Sequence, residues 1–280
     1  MIENSQKPTR WAQLKKWVRA HRTRSIIVAG VVLIAIGGGI VYAFWPHSIP
    51  TKVVHTAPKP KAPPPTFYSP LTGEKVADAA ATKMAVTAIM IENSPDARPQ
   101  SGVKQAGVIY EAIAEGGITR FLTLHQQDKP QIIGPVRSLR MYYVDWLAPY
   151  NASVAHVGGS FYSLQEIRSG KYRDIDQFFN GTSYWRASDR YAPHNVYTSF
   201  EKLDALNAAK GYTTSEFTGW PRIDGKPAET PNASSVTINF GSVAFNTSYA
   251  YDKVSNRYNR SVGGAPHLDR EDGHITPAVV

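Results

Sequence analysis

Residues 25–45 read SIIVAGVVLIAIGGGIVYAFW, a stretch without a single charged side chain and of the length an α-helix needs to cross the hydrocarbon core of a bilayer. A helix that is apolar on every side must be surrounded by other apolar matter, so this run decides how the rest of the chain is partitioned. Tyr42, Phe44 and Trp45 close it with the aromatic residues of a membrane interface. A cleaved signal peptide is the alternative, with a shorter apolar core and a small-residue cleavage site, but here the run ends in Phe44-Trp45-Pro46. An uncleaved transmembrane helix over 25–45 is expected. Lys7, Arg10, Lys15, Lys16, Arg19, Arg22 and Arg24 precede it, against one acid, Glu3. The positive-inside bias then makes 1–24 a basic cytoplasmic tail and puts everything after Trp45 outside, as a single-pass cell-membrane protein with an extracytoplasmic main part.

Within the tail, Trp11, Leu14, Trp17 and Val18 alternate with basic residues in a helical pattern suited to the inner leaflet, though a solvated topogenic tail has the same composition. Residues 46–66 carry prolines at 46, 50, 58, 60, 63, 64 and 65, which predicts an extended, semi-rigid spacer. The formal charge of +9 belongs to these N-terminal segments: after residue 65, 21 basic side chains face 21 acidic ones. The remainder is formally neutral and lacks a nucleic-acid footprint. With no cysteine anywhere, disulfides, thiolate chemistry and lipid attachment through sulfur are excluded.

From residue 67 the pattern becomes globular. Residues 85–92 (AVTAIMIE) read as a buried strand, followed by a long turn-rich loop over 93–102. Residues 108–114 and 118–126 read as antiparallel strands joined at Gly116-Gly117. Ser138 is placed to cap a helix over 139–147, residues 153–157 form a short strand, 161–168 a helix, and Ser199 starts a capped helix ended by Gly211. Pro, Gly and charge then dominate up to 232, after which 235–240, 247–252 and 257–262 alternate like strands. The expected architecture is an α/β or α+β extracytoplasmic domain with a mixed or antiparallel sheet over 67–220. A linker over 221–232 and a small β-rich domain over 233–280, broken off before completion, follow.

The ordered motifs Ser69-Pro70-Leu71-Thr72-Gly73, Ala97-Arg98-Pro99-Gln100-Ser101-Gly102, Tyr110-Glu111, Ala114-Glu115-Gly116-Gly117-Ile118-Thr119-Arg120-Phe121, Gly134-Pro135-Val136-Arg137-Ser138-Leu139-Arg140, Gly158-Gly159-Ser160 and Ala192-Pro193-His194-Asn195 resemble the YerB-like lipoprotein family. The resemblance runs from about residue 68 to the end. Tyr251-Asp252, Tyr258-Asn259-Arg260 and Pro266-His267-Leu268-Asp269 resemble the family's second domain, here shortened. It implies a bacterial, exported, envelope-associated protein without a defined activity. The lipobox cysteine is missing, so the transmembrane helix stands in for lipid anchoring.

Two glutamates carry the candidate acid–base chemistry. Glu111 and Glu115 are four apart; on a strand they would sit about 13 Å from each other, too far for a glycosidase pair. Glu115 alone, partnered by Asp96 or Asp145, is the candidate catalytic acid/base, with salt bridges to Arg120, Arg137 or Arg140 as the structural alternative. Arg98, Arg120, Arg137 and Arg140 have forks suited to carboxylate or phosphate, and their convergence would mark an anion site; individually, each could instead hold a loop. His156, Gly158, Gly159 and Ser160 offer backbone N–H groups for an anion. Ser160 as a nucleophile with His156 or His194 lacks the Gly-x-Ser-x-Gly elbow. Asn93, Ser101, Glu111, Ser138, His194 and Asn195 complete the candidate ligand-binding set. His125, His156 and His194 form no metal motif, so no metal or cofactor is expected. The aromatic residues Tyr142, Tyr143, Trp146, Tyr162, Phe178, Phe179, Tyr184 and Trp185 suit either sugar stacking or core packing.

The leading expectation is a membrane-anchored protein binding an anionic cell-wall glycopolymer or peptide, with no nucleic-acid partner and any protein partner undefined. The alternatives are a hydrolase or transferase on wall glycan or peptide using Glu115, and a non-catalytic interaction scaffold. Glu115, Arg137 and His156 in one cleft would favour the enzyme. Arginines around an anion without a shielded carboxylate would favour binding, and buried, mutually paired motif residues would favour the scaffold.

Overall fold

The computed structural model describes residues 9–46, 65–223 and 225–280. The chain divides into two units, Met1–Ala62 and Pro63–Val280. In the first, helix α1 (Arg10–Ala20) and helix α2 (Arg22–Phe44) are separated at His21, whose backbone leaves the helical region. α2 is the one helix among the described residues long and apolar enough to cross a membrane. Its 23 residues span about 35 Å at the α-helical rise, against a hydrocarbon core of about 30 Å. It begins earlier than the apolar run and takes in Arg22 and Arg24. The spacer expected over 46–66 lies, from 47 to 64, outside the described residues, as does the start of the basic tail.

The second unit opens with a two-stranded ribbon of β1 (Phe67–Tyr68) and β2 (Lys75–Val76). β3 (Thr87–Glu92) follows, with all six residues buried. β4 (Val108–Ile113) and β5 (Thr119–His125) complete its antiparallel side, joined by the turn Glu115–Gly117 as the Gly-Gly signal predicts.

α3 (Met141–Leu147), β6 (Ser153–Ala155), α4 (Phe161–Ile167) and β7 (Arg173–Asp174) come next; β6 pairs parallel to β3, and the sheet order is β4-β5-β3-β6-β7. A central strand covered on both faces explains the unbroken apolar run of β3. On one face Ala88, Met90, Leu122 and Leu124 pack with Tyr143, Val144 and Leu147 of α3 and Ile167 of α4. On the other, Ile89, Ile91 and Phe121 meet Ile133, Val136 and Val196. β8 (Trp185–Arg186) and β9 (Val196–Tyr197) form a ribbon ahead of α5 (Phe200–Ala209), which adds Phe200 and Leu203 to this second face. Each fully buried large aliphatic side chain here stabilises the fold by about 1.5–3 kcal/mol. Ser199 caps α5 as expected, accepting the N–H of Lys202 at 3.3 Å.

The helix expected over 139–147 starts later, at Met141, with Arg140 in the cap position and in extended conformation. Ser138 is therefore not the cap. The N–H of Leu139 donates to the Gly158 carbonyl at 3.0 Å and that of Val157 to the Arg137 carbonyl at 3.0 Å; these long-range bonds hold 137–139 extended and also end the strand at Ala155 rather than Val157.

The C-terminal part forms a four-stranded antiparallel sheet of β10 (Ser235–Ile238), β11 (Thr247–Asp252), β12 (Arg257–Val262) and β13 (Ala265–Pro266), then a ribbon of β14 (Leu268–Asp269) and β15 (Gly273–His274). It shares one compact unit with the mixed sheet. The Asp269 carboxylate accepts the backbone N–H groups of Val103 and Lys104 at 2.7 and 3.1 Å.

Candidate functional site

Register places Glu92, the last residue of β3, opposite Arg120 near the start of β5, on the face that carries Met90 and Leu122. The segment 134–139 runs beside this strand end. Glu92 N–H donates to the Pro135 carbonyl and Arg137 N–H to the Met90 carbonyl, both at 2.9 Å. A glycine is required at 134, because a Cβ there would lie 2.7 Å from the Tyr197 ring and 2.9 Å from the Val196 carbonyl. Backbone bonds and close packing thus bring Arg120, Arg137 and Arg140 to one strand end.

Their partners are two glutamates. Arg137 Nε lies 3.2 Å and His194 Nδ1 3.0 Å from the same oxygen of Glu92, and Ser94 Oγ donates to the other at 3.0 Å. Glu92 is almost wholly buried. Arg120 lies 3.1 Å from Glu115 and donates to the Ser138 carbonyl at 3.2 Å; Arg140 grips both oxygens of Glu115. Burial, and then the neighbouring Arg140, lower the pKa of Arg120, while Glu115 and Glu92 oppose this and Arg137 adds to it. Three guanidinium charges against two carboxylates leave the cluster one positive charge in excess.

Glu115 differs from everything it touches. Its side chain is 61% exposed, against 9% for Arg120 and 14% for Arg140. The hydrogen bond from Arg140 is the main cause that lowers its pKa to about 2, against the opposing cost of desolvation. Such a carboxylate has no proton to donate at neutral pH and is a weak base. The acid/base role expected for Glu115 is not favoured by this environment, and among the described residues neither Asp96 nor Asp145 bonds to it. The two glycines after it have φ of +65° and +75°, and a Cβ on either would meet no atom within 4 Å. The turn that carries Glu115 stands free of packing.

Other residues singled out in the sequence hold the chain together instead. Glu111 faces Phe121 in register, on the opposite face of β5 from Arg120. It accepts from Arg260 at 2.6 Å, Thr119 at 2.8 Å and Asn93 at 3.1 Å. Arg98 donates to the side chain and carbonyl of Asn93 and to the Ala244 carbonyl, and stacks over Phe245 at 5.2 Å; burial is the main reason its pKa falls to about 10. Gln100 joins Asn93 to His267, and burial followed by the Arg260 charge pushes His267 well below the usual histidine range. Ser101 Oγ donates to Glu271 at 3.1 Å. Arg98 therefore does not converge with the other three arginines; Arg98, Ser101 and Glu111 bind this chain's own C-terminal part, and Asn93 ties Arg98, Gln100 and Glu111 together.

His156 is fully buried, with Nε2 3.0 Å from Asp174 and Nδ1 2.8 Å from the Gly158 carbonyl. The Gly158 N–H, expected to be free for an anion, donates to Asp176 at 3.1 Å. Gly159 is packed so closely that a Cβ would lie 2.7 Å from Ser163 Oγ. Ser160 Oγ donates to Ser163 and bonds to neither His156 nor His194. Asn195 ties its own loop together through the Ala187 and Arg190 carbonyls. Of this group only His194 reaches the arginine cluster. Among the described residues no group of three or more His, Asp or Glu side chains is placed to hold a metal ion.

Glu92, Ser94, Asp174 and Asp176 were not singled out by the sequence, and Arg260 entered only within the motif Tyr258-Asn259-Arg260. For Glu92 a signal existed: a carboxylate ending an otherwise apolar, fully buried strand must find a charged partner.

Residues 71–213, about half of the chain, match the family described as "Protein of unknown function (DUF3048) N-terminal domain". The Bacillus subtilis (strain 168) protein "Putative lipoprotein YerB" is 36% identical over 211 residues, covering 73% of this chain and 63% of that protein. This chain thus spans less than two thirds of that relative's length. The crystal structure of the YerB protein from Bacillus subtilis superposes with a TM-score of 0.66 at 32% identity, over 75% of this chain and 72% of the other. With the apolar N-terminal helix, a lipoprotein-type relative points to membrane association. The arginine cluster described above lies within the matched residues 71–213, and the chain belongs to the YerB-like family.

Proposed function

We propose that this protein is anchored in the cell membrane by α2 as a single pass, N-terminus inside, and that its extracytoplasmic part binds an anionic cell-wall component at Arg120, Arg137 and Arg140. The observation that carries this reading is the gathering of three largely desolvated guanidinium groups whose most exposed counter-ion, Glu115, sits on an unpacked glycine turn. An incoming carboxylate or phosphate that takes the place of Glu115 inherits the two-pronged grip of Arg140 and the charge of Arg120. Glu115 is then an internal occupant of the site, not its acid or base. The basic residues ahead of the membrane helix support the orientation. In this reading 67–220 carries recognition, 221–232 links it to the β-rich 233–280, and Arg260 on Glu111 latches the two parts.

The test is binding of purified anionic wall fragments to the full chain in detergent micelles. Saturable binding is expected, weakened by salt and about tenfold or more weaker in Arg137→Ala, the cost of one charge-assisted bond. Binding that ignores Arg137→Ala would sink the reading. The internal pairing of Asn93, Arg98 and Glu111 favours a second one, a non-catalytic scaffold, and a wild-type protein that binds no fragment at all would leave that reading in its place.

A further inference from the structure

Glu92 and His194 form a pair that anion binding alone does not need. The carboxylate is buried and takes its position from the end of β3; His194 presents Nδ1 to it at 3.0 Å, with Ser94 Oγ 3.3 Å from the same nitrogen. Among the described residues Nε2 has no hydrogen-bond partner, and the ring is partly exposed. Ser94 Oγ, whose own hydrogen goes to Glu92, accepts the Nδ1–H and so sets the tautomer that leaves the Nε2 lone pair free, while the carboxylate 3.0 Å away stabilises the positive ring that forms when Nε2 makes a new bond. Arg137 shares the oxygen of Glu92 that His194 touches, so an anion held by Arg137 is a neighbour of this imidazole.

Resting on the anion-site reading, we infer that the bound anion is a phosphate monoester and that His194 takes its phosphoryl group. The charge balance favours a dianion: with Glu115 turned out into water, three guanidinium groups face only Glu92 and leave two positive charges. In the first step the Nε2 lone pair attacks phosphorus, a P–N bond forms and the ester P–O bond breaks. Its electron pair leaves on the alcohol oxygen, which takes a proton from water. The hydroxide so formed attacks phosphorus, the P–N bond breaks and its electron pair returns to Nε2. The net change is one water consumed, with an alcohol and inorganic phosphate released. Arg120, Arg137 and Arg140 hold the equatorial oxygens, and Glu92 is a positioning residue. Ser94 Oγ faces Nδ1, the wrong nitrogen for activation as a nucleophile.

The experiment uses the full chain in detergent micelles, with 4-nitrophenyl phosphate as the reporter and inorganic phosphate as the binding probe. The wild type should release nitrophenolate and, quenched in alkali, carry the mass of one acid-labile phosphoryl group on His194. His194→Asn keeps an amide that can face Glu92; it should lose the adduct, slow release on the order of a hundredfold or more and keep phosphate affinity within about twofold. The wild-type adduct is read independently of whether the variant folds. Phosphate binding without release or adduct overturns the phosphoryl transfer and leaves the anion site standing, as does release unchanged in His194→Asn. Failure of the wild type to bind phosphate overturns the anion site and this inference with it.

Discussion

Arg260 on Glu111 and Arg140 on Glu115 are the same pair of residue types, their glutamates four residues apart on β4 and the turn that follows it, and they behave as opposites. The first is sealed: the two side chains are 5% and 9% exposed, Arg260 lies over the Phe121 and Tyr249 rings, and Glu111 has further donors in Asn93 and Thr119. The second is open, with a shielded arginine and a carboxylate mostly in water. A sealed pair is a structural latch, since nothing can enter without unfolding it. An open pair is a site whose own carboxylate can be exchanged for another anion. Burial on both partners, not the presence of an arginine, separates the two roles.

The largest test of this contrast is to break the sealed pair. Arg260→Ala leaves Glu111 buried opposite an apolar ring and should destabilise the fold by about 3–5 kcal/mol in chemical denaturation. Removing Arg140, whose partner Glu115 is mostly in water, should cost far less stability while it removes anion binding; equal losses from both would erase the distinction.

A smaller effect is expected from pH. Burial holds His125 down near pKa 3 and His267 well below its ordinary value of 6.5, so both stay neutral in the folded chain. The unfolded chain takes up a proton at each as pH falls below about 6.5. Stability from these groups is therefore complete above that pH and is lost as pH falls towards their folded values, by about 1.4 kcal/mol per histidine per pH unit. Denaturation midpoints at several pH values between 7.5 and 4.5 should show this slope, and His267→Gln should flatten it. A midpoint independent of pH over that range would mean that neither histidine is buried neutral.

Much of this fold was legible locally. The strand patterns over 108–114 and 118–126 and the Gly-Gly break yielded the antiparallel pair, observed over 108–113 and 119–125, Ser199 announced α5, and the uncharged run over 25–45 announced α2. Each of these is decided by residues a few positions apart. The division of the arginines was not legible, because Arg98 and Arg137 sit in loops of the same composition and their destinations depend on Ala244, Asn93 and Glu92. The latch joins residues 149 positions apart, and Ser138 lost its expected cap to a bond between Leu139 and Gly158. Glu115 was singled out, but its role turned on exposure, which spacing does not reveal.

The account rests most directly on Glu115 being an occupant that an anion displaces. Calorimetric titration of inorganic phosphate into wild type and Glu115→Gln, full chain in micelles, measures this. Removing the competing charge should tighten binding several-fold or more and leave the unfolding free energy within about 0.5 kcal/mol, as for an exposed side chain. Affinity that is unchanged or weaker in Glu115→Gln would contradict the account, and would return Glu115 to the set of groups that bind or transform the ligand themselves.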